Sequence, residues 1–357
     1  MPNMPHFNST NVFLSFQYFF VPLHKISITK NIDMYTIEVL QDKVKQSFDK
    51  QNFIEEPKLL YEPIEYTLSQ GGKRLRPILL LAGCDLFGGD CNQAINAAMG
   101  IEIFHNFTLL HDDIMDKSPM RRGKETVYKH WNENIAILSG DTMFALAYRY
   151  FLMTPHKNLQ QILQVFTETA IDVCNGQQYD MNFESLTSVE LNDYLTMIRK
   201  KTAVLLAGAL KIGSLYAECT EEDRNLLYEF GINIGLAFQL QDDLLDAFGN
   251  EKTFGKPIGT DIKDNKKTFL FLKAIECSNN DDKAILNNWF KQTKTDNREK
   301  IASILNIYNK LNIKEHTEQE IEKYFSKGLQ KLEQINVPHE RKEPLRNFVN
   351  QLLGRNH

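Results

Sequence analysis

The chain is poor in the residues that would staple a fold or build a soft metal cage. It has two tryptophans and five cysteines in 357 residues. Cys84, Cys91, Cys174, Cys219 and Cys277 are odd in number and show no close ligand spacing, which excludes a disulfide framework and a zinc motif. They read as reduced thiols, mostly buried as small hydrophobes, of a cytoplasmic protein. Long apolar runs are also missing. The stretch VFLSFQYFFVPL at 12–23 is too short to span a bilayer and is interrupted by Gln17 and Pro22. It lacks the preceding positive charge and the small-residue cleavage site of a signal peptide, so no stable membrane insertion is expected. Acidic residues outnumber basic ones, 46 to 41, for a net charge of −5. No basic stripe dominates, so nucleic acid is not an expected partner. Linkers, low-complexity tracts and fixed-period repeats are absent, as are alternating strand patterns bounded by turns after residue 35.

What is present is helical periodicity, almost unbroken from residue 35 onward. Helices are expected near 35–50, 57–70, 77–87, 91–116, 131–152, 157–181, 188–216 and 221–248, followed by five more to residue 353. Pro77 reads as a helix start and Gly88-Gly89 as its end. The class is therefore all-α, with one large domain over 34–357. Residues 1–33 read as a disordered or non-native extension. AVLLAGALKIGSLY (203–216) and FGINIGLAFQL (230–240) are apolar nearly all round, which suits a deep core or a subunit interface. Gly231 and Gly235 share a face that another helix or a ligand could approach closely.

Two acidic clusters of equal spacing interrupt this apolar background: HDDIMD at 111–116 and QDDLLD at 241–246. Asp112 and Asp116 lie within about 40° of each other on a helical wheel, with Asp113 beside them. Asp242, Asp243 and Asp246 repeat the geometry. Neighbouring carboxylates repel unless a cation intervenes, and a helix C-terminus disfavours negative charge further. Oxygen-only donors without His or Cys point to Mg²⁺ shared with a substrate phosphate. A His111–Asp112 phosphohydrolase site would leave Asp116 and the second cluster unexplained.

Cations accompany the carboxylates. SQGGKRLRP (69–77) offers Lys73, Arg74 and Arg76 beside Gly72, where backbone can approach an anion. MRRG adds Arg121 and Arg122, IRKKTA adds Lys200, Lys201 and Thr202, and FGKPIGTDIKDNKKT adds Lys256 and Lys266. Each alone reads as a solvated surface group; together with the aspartates they make a diphosphate site. His105 and Gln239, taken singly, read as ordinary core polarity.

In this order, GGKRLRP, HDDIMD with RRG, KT, FQLQDDLLD and FGKPIGTDI, the chain closely resembles the trans-isoprenyl diphosphate synthases, or polyprenyl synthetase family, over roughly residues 69–270. The resemblance implies a helical bundle around a central cavity, a homodimer, and condensation of isopentenyl diphosphate with an allylic diphosphate. By the same resemblance, Asp112, Asp116 and Asp242 would bind three Mg²⁺, with Mn²⁺ a possible substitute. Asp113, Asp243 and Asp246 would complete the clusters. Arg121, Lys201 and Lys256 would hold the allylic diphosphate directly, with Lys266 helping through water. Gly72, Lys73, Arg76, His105 and Arg122 would hold isopentenyl diphosphate, while Thr202 and Gln239 would sit near the carbocation.

Product length in this family depends on side chains upstream of the first cluster. Phe107 lies about 7.5 Å below Asp112 along a helix axis, and the resemblance singles it out as a pocket floor. The implied product has twenty carbons, with fifteen next. A class I terpene cyclase would lack the glycine-lysine-arginine segment for a second diphosphate. A non-catalytic regulatory subunit would have no use for two intact clusters.

Overall fold

The computed structural model describes residues 34–186, 188–249, 258–292 and 297–354. The chain divides into two units, residues 1–33 and 34–357, and the described residues all belong to the second. The expected N-terminal extension lies outside them.

The first half runs α1 (Ile37–Asp49), α2 (Lys58–Ser69), α3 (Leu75–Leu86), α4 (Cys91–Met115), a hairpin of β1 (Met120–Arg121) and β2 (Lys124–Glu125), α5 (Val127–His130), α6 (Glu133–Leu152) and α7 (Leu159–Ser185). Then come α8 (Leu191–Ile198), a π-helical turn at Arg199–Ala203, α9 (Val204–Leu215) and α10 (Glu221–Phe248). The remainder is α11 (Thr260–Lys263), α12 (Phe269–Cys277), α13 (Asn280–Lys291), α14 (Asn297–Lys310), α15 (Ile313–Gln334) and α16 (His339–Leu353).

Burial follows composition. Every residue of α9 but Lys211 is buried, because the helix packs against α3, α7 and α10. Each fully buried Leu or Ile is stabilised by roughly 1.5–3 kcal/mol, so a helix apolar on all sides belongs inside. Of the two locations its sequence allowed, α9 occupies the core. Every residue of α3 but Arg76 is buried too. On α10, a Cβ at Gly231 or Gly235 would come within 2.6 Å of the Cα of Ala207 or Ala203. The shared glycine face therefore seats α9 rather than a ligand.

Three local expectations need correction. Helix α3 starts at Leu75, so Pro77 is its third residue; the first turn has no intrahelical use for that missing N–H. The stretch at 188–216 is not one α-helix but α8, a π turn and α9. The chain also contains a strand pair, with Met120 opposite Glu125. Two residues per strand are too few for any alternation to show.

The long helices α4 and α10 make no extensive contact with each other. Beside the C-terminal half of α10 lies a cleft bordered by α7, α8, the π turn and the segment 261–268. No helix among the described residues is long and apolar enough to cross a membrane.

Candidate active site

At the end of α4 the three aspartates part company. Asp116 is the C-cap, its backbone N–H donating to the Asp112 carbonyl at 2.8 Å. The Asp112 and Asp116 side chains are about one-fifth exposed, at 19% and 21%. Asp113 turns inward, and its carboxylate accepts from Arg121 Nε at 2.8 and 2.9 Å and pairs with the NH2 nitrogen at 2.8 Å. Burial pushes its pKa up to about 6 even against the Arg121 charge. His111 points the other way, its Nε2 lying 3.2 Å from the Ile137 carbonyl of α6.

On α10, Asp243 and Asp246 are buried and Asp242 is half-buried. Asp243 accepts from the Tyr194 hydroxyl and, at 3.0 Å, from the Gln239 amide. Its pKa is raised well above the ordinary carboxylate value by burial and then by neighbouring Asp261. The Asp246 carboxylate accepts from the Asp261 backbone N–H at 3.0 Å, and its carbonyl accepts from Gly259 N–H at 2.7 Å. Asp246 thereby fastens the turn leading into α11.

Lysines tie the first cluster to the cleft. Lys201, on the π turn, sits 3.3 Å from Asp112 and 2.6 Å from Asp180 of α7. Burial works to lower its pKa, but these two carboxylates win and raise it. Lys266 reaches Asp116 at 3.4 Å; the surrounding carboxylates likewise overcome burial and raise its pKa. Both lysines line the cleft that Asp243, Thr202, Gln239 and Asp261 also line. The second cluster thus reaches the cleft directly through Asp243, and the first reaches it through its lysine partners. Lys256 lies outside the described residues.

The remaining cations gather beside it. The loop before α3 passes through positive φ at Gly71, Gly72 and Arg74. Arg122, on the hairpin, donates to the Gly71 carbonyl. A Cβ on Gly72 would sit 2.8 Å from the Arg122 guanidinium, so glycine is required there by both backbone and space. Arg76 donates to His105 Nε2 at 3.0 Å. A guanidinium can only donate, so this histidine ring nitrogen is an acceptor. Burial, then Arg76, holds the His105 pKa well below its ordinary value. Burial lowers that of Arg76 to about 10. Lys73 lies 5.8 Å from the centre of the Phe238 ring on α10.

Below the first cluster is an aromatic layer. Phe107 stands 5.5 Å from Phe104, 5.3 Å from Phe144 of α6 and 4.7 Å from His111, centre to centre. Phe104 continues the layer to Phe166 of α7 at 5.2 Å.

Four residues escaped sequence reading: Asp180, Tyr194, Asp261 and Glu102. Asp180 could have been found, because Gly176 precedes it by four residues on the same helix face. A Cβ at Gly176 would lie 2.2 Å from the Lys201 backbone nitrogen. Glu102 is buried beside Arg76 and Arg122, and nothing in its sequence neighbours signals that. The π turn was invisible too, although such turns cluster at functional sites.

Among the described residues, no three His, Cys, Asp or Glu side chains converge into a ready-made metal cage. The oxygen-only donors suit a hard cation whose shell is completed by phosphate and water. Comparison with known proteins points the same way. A family model described as polyprenyl synthetase matches residues 57–308. The geranylgeranyl diphosphate synthase of Sulfolobus acidocaldarius is 37% identical over 281 residues, 78% of this chain and 84% of its own. A short chain isoprenyl diphosphate synthase of Methanocaldococcus jannaschii is 38% identical over 250 residues, 69% of this chain and 76% of its own. The crystal structure of the geranylgeranyl pyrophosphate synthetase from Pyrococcus horikoshii superposes with a TM-score of 0.82 at 30% identity, covering 89% of this chain and 96% of that one. A cleft lined by the second cluster, lysines on it that pair with the first, and a family match spanning both clusters lead to one assignment: the chain belongs to the polyprenyl synthetase family.

Proposed function

We propose that this protein is a trans-prenyltransferase that condenses isopentenyl diphosphate with an allylic diphosphate and makes a short all-trans chain, chiefly of twenty carbons. The observation that carries the reading is a cleft lined by Asp243 of the second cluster and by Lys201 and Lys266, which pair with Asp112 and Asp116 of the first. The geranylgeranyl and short-chain names of its relatives support the product class.

Asp112 and Asp116 on one side, and Asp242 on the other, fit Mg²⁺ as hard oxygen donors. When bound, the ion would supply Lewis-acid stabilisation of the departing diphosphate. Asp113 would act through Arg121, fixing the guanidinium at the diphosphate. Asp243 and Asp246 would shape the opposite wall. Lys201 and Lys266 are held by carboxylates at the cleft, ready to meet the diphosphate oxygens, with Lys256 as a further expected contact. Gly72, Lys73, Arg76, His105 and Arg122 form the second anion site. A neutral His105 accepts from Arg76, leaving that guanidinium's outward N–H groups for phosphate.

Thr202 donates to Gln239 at 2.9 Å. The hydroxyl lone pairs are thereby free to face an allylic cation. Apolar walls keep water from that cation, and the isopentenyl double bond attacks it before a proton is lost. Phe107 closes the tunnel for the growing tail.

We take residues 34–357 as the synthase domain, a second copy as partner, and the cytoplasm as its compartment. Of the five cysteines only Cys84 and Cys91 are buried, whereas Cys174 and Cys277 are exposed, so most are not the buried small hydrophobes expected from the sequence. The test is direct. Purified protein with Mg²⁺, farnesyl diphosphate and labelled isopentenyl diphosphate should form a twenty-carbon diphosphate. A hydrocarbon from the allylic substrate alone would instead indicate a cyclase.

A further inference from the structure

Four side chains form a continuous hydrogen-bonded line under the cleft. The Tyr194 hydroxyl of α8 donates to one oxygen of Asp243. Gln239 donates its amide to the other at 3.0 Å. The Gln239 carbonyl, turned away by that bond, accepts from Thr202 at 2.9 Å. All four residues line the cleft.

The line has one sense. Gln239 turns its NH₂ to Asp243 and its oxygen to Thr202. Thr202 has a single proton and must give it to that oxygen. Its lone pairs are then left for whatever lies in the cleft. Remove the phenol and one Asp243 oxygen loses its donor in a buried place. The carboxylate can then turn toward other donors, the amide of Gln239 can flip, and Thr202 loses its defined orientation. Tyr194 is buried and precedes the π turn that carries Thr202 by only a few residues, so the line also ties that turn to α10.

We propose that Tyr194 is a positioning residue for the cation-stabilising step: through Asp243 and Gln239 it orders the proton of Thr202 so that an oxygen lone pair, rather than an O–H, faces the allylic cation. This deepens the prenyltransferase reading and rests on it.

The test compares Tyr194→Phe, Thr202→Val and the double variant in the full chain. Tyr194→Phe keeps the ring and removes only the oxygen. Loss of one ordered hydrogen bond should lower kcat about fivefold, with both KM values within about twofold of the parent. The fraction of allylic diphosphate hydrolysed to prenyl alcohol, rather than condensed, should rise. In Thr202→Val the Tyr194→Phe change should have no further effect on either readout, because coupled residues are not additive. Multiplicative effects in the double variant, or parental partitioning in Tyr194→Phe, would overturn the proposal while leaving the parent's condensation activity intact. If Tyr194→Phe does not fold, Gln239→Glu offers the same reading, since a carboxylate beside Asp243 breaks the line at its middle. That variant should also raise hydrolysis, and parental partitioning there would overturn the proposal equally. A parent enzyme that fails to condense would instead remove the functional reading beneath it.

Discussion

Lys266 and Asp116 stand 150 positions apart in sequence, yet their charged atoms lie 3.4 Å apart. The contact joins the segment after α11, which lines the cleft, to the end of α4. Replacing Lys266 with Met should therefore raise KM for the allylic substrate more than KM for isopentenyl diphosphate. We expect a loss of about tenfold in kcat/KM, equivalent to about 1.4 kcal/mol. Steady-state kinetics with each substrate varied in turn would check it.

Asp112 carries a heavier burden, since Lys201 and Arg121 both lie within 4 Å of it. Asp112→Ala should reduce turnover by on the order of 100- to 1,000-fold, the scale for deleting one electrostatic partner of the transition state. Circular dichroism should show the helices unchanged. A variant with the parental rate would remove Asp112 from the site.

Phe107→Ala should open the tunnel floor and move the product beyond twenty carbons. Phe104 and Phe144 remain beneath it, so the lengthening should be modest, about one or two isoprene units. Separation of the dephosphorylated products by chain length reads this directly. An unchanged distribution would clear Phe107 of the role.

Gly176→Ala should be severe. Its Cβ would fall 2.2 Å from backbone at Lys201, and backbone cannot rotate away as a side chain can. The π turn must shift, taking Lys201 and Thr202 with it. Activity should drop at least about tenfold, with a lowered melting temperature, because overpacking costs roughly 1–3 kcal/mol.

Asp85 lies far from the site and offers a stability test. It is buried, and burial raises its pKa to about 6 despite a hydrogen bond from the Tyr35 backbone N–H at 3.2 Å and the nearby Arg341 charge. A folded pKa above the unfolded value means the native state binds the extra proton. The Asp85 contribution to stability is therefore most favourable at low pH and is lost as pH rises from about 4 to about 6. Asp85→Asn should raise the melting temperature at pH 7.5 and leave it nearly unchanged at pH 4. Thermal unfolding at the two pH values would show it, and a loss of stability at pH 7.5 would contradict it.

The helical class, the core position available to the α9 segment and both acidic clusters were legible in one dimension. Each depends on spacing along a single helix or on composition, which local sequence carries. Asp113 was legible only by type: the wheel placed it beside Asp112, whereas the fold gives it to Arg121 from the hairpin. The hairpin itself escaped because two residues per strand leave no period to detect. Glu102, Tyr194 and Asp261 escaped because their importance lies wholly in partners from other elements.

The sequence by itself determined which residues could bind anions and cations, and that the chain would be helical. Periodicity and residue chemistry are local properties. Tertiary structure alone decided that Asp243 of α10 lines a cleft, that Lys201 and Lys266 on that cleft pair with the α4 aspartates, and that Tyr194 reaches Asp243. Those relationships arise from packing α9 between α3 and α10 and from a π turn that shifts helical phase. No local pattern encodes a distance between residues 49 to 150 positions apart.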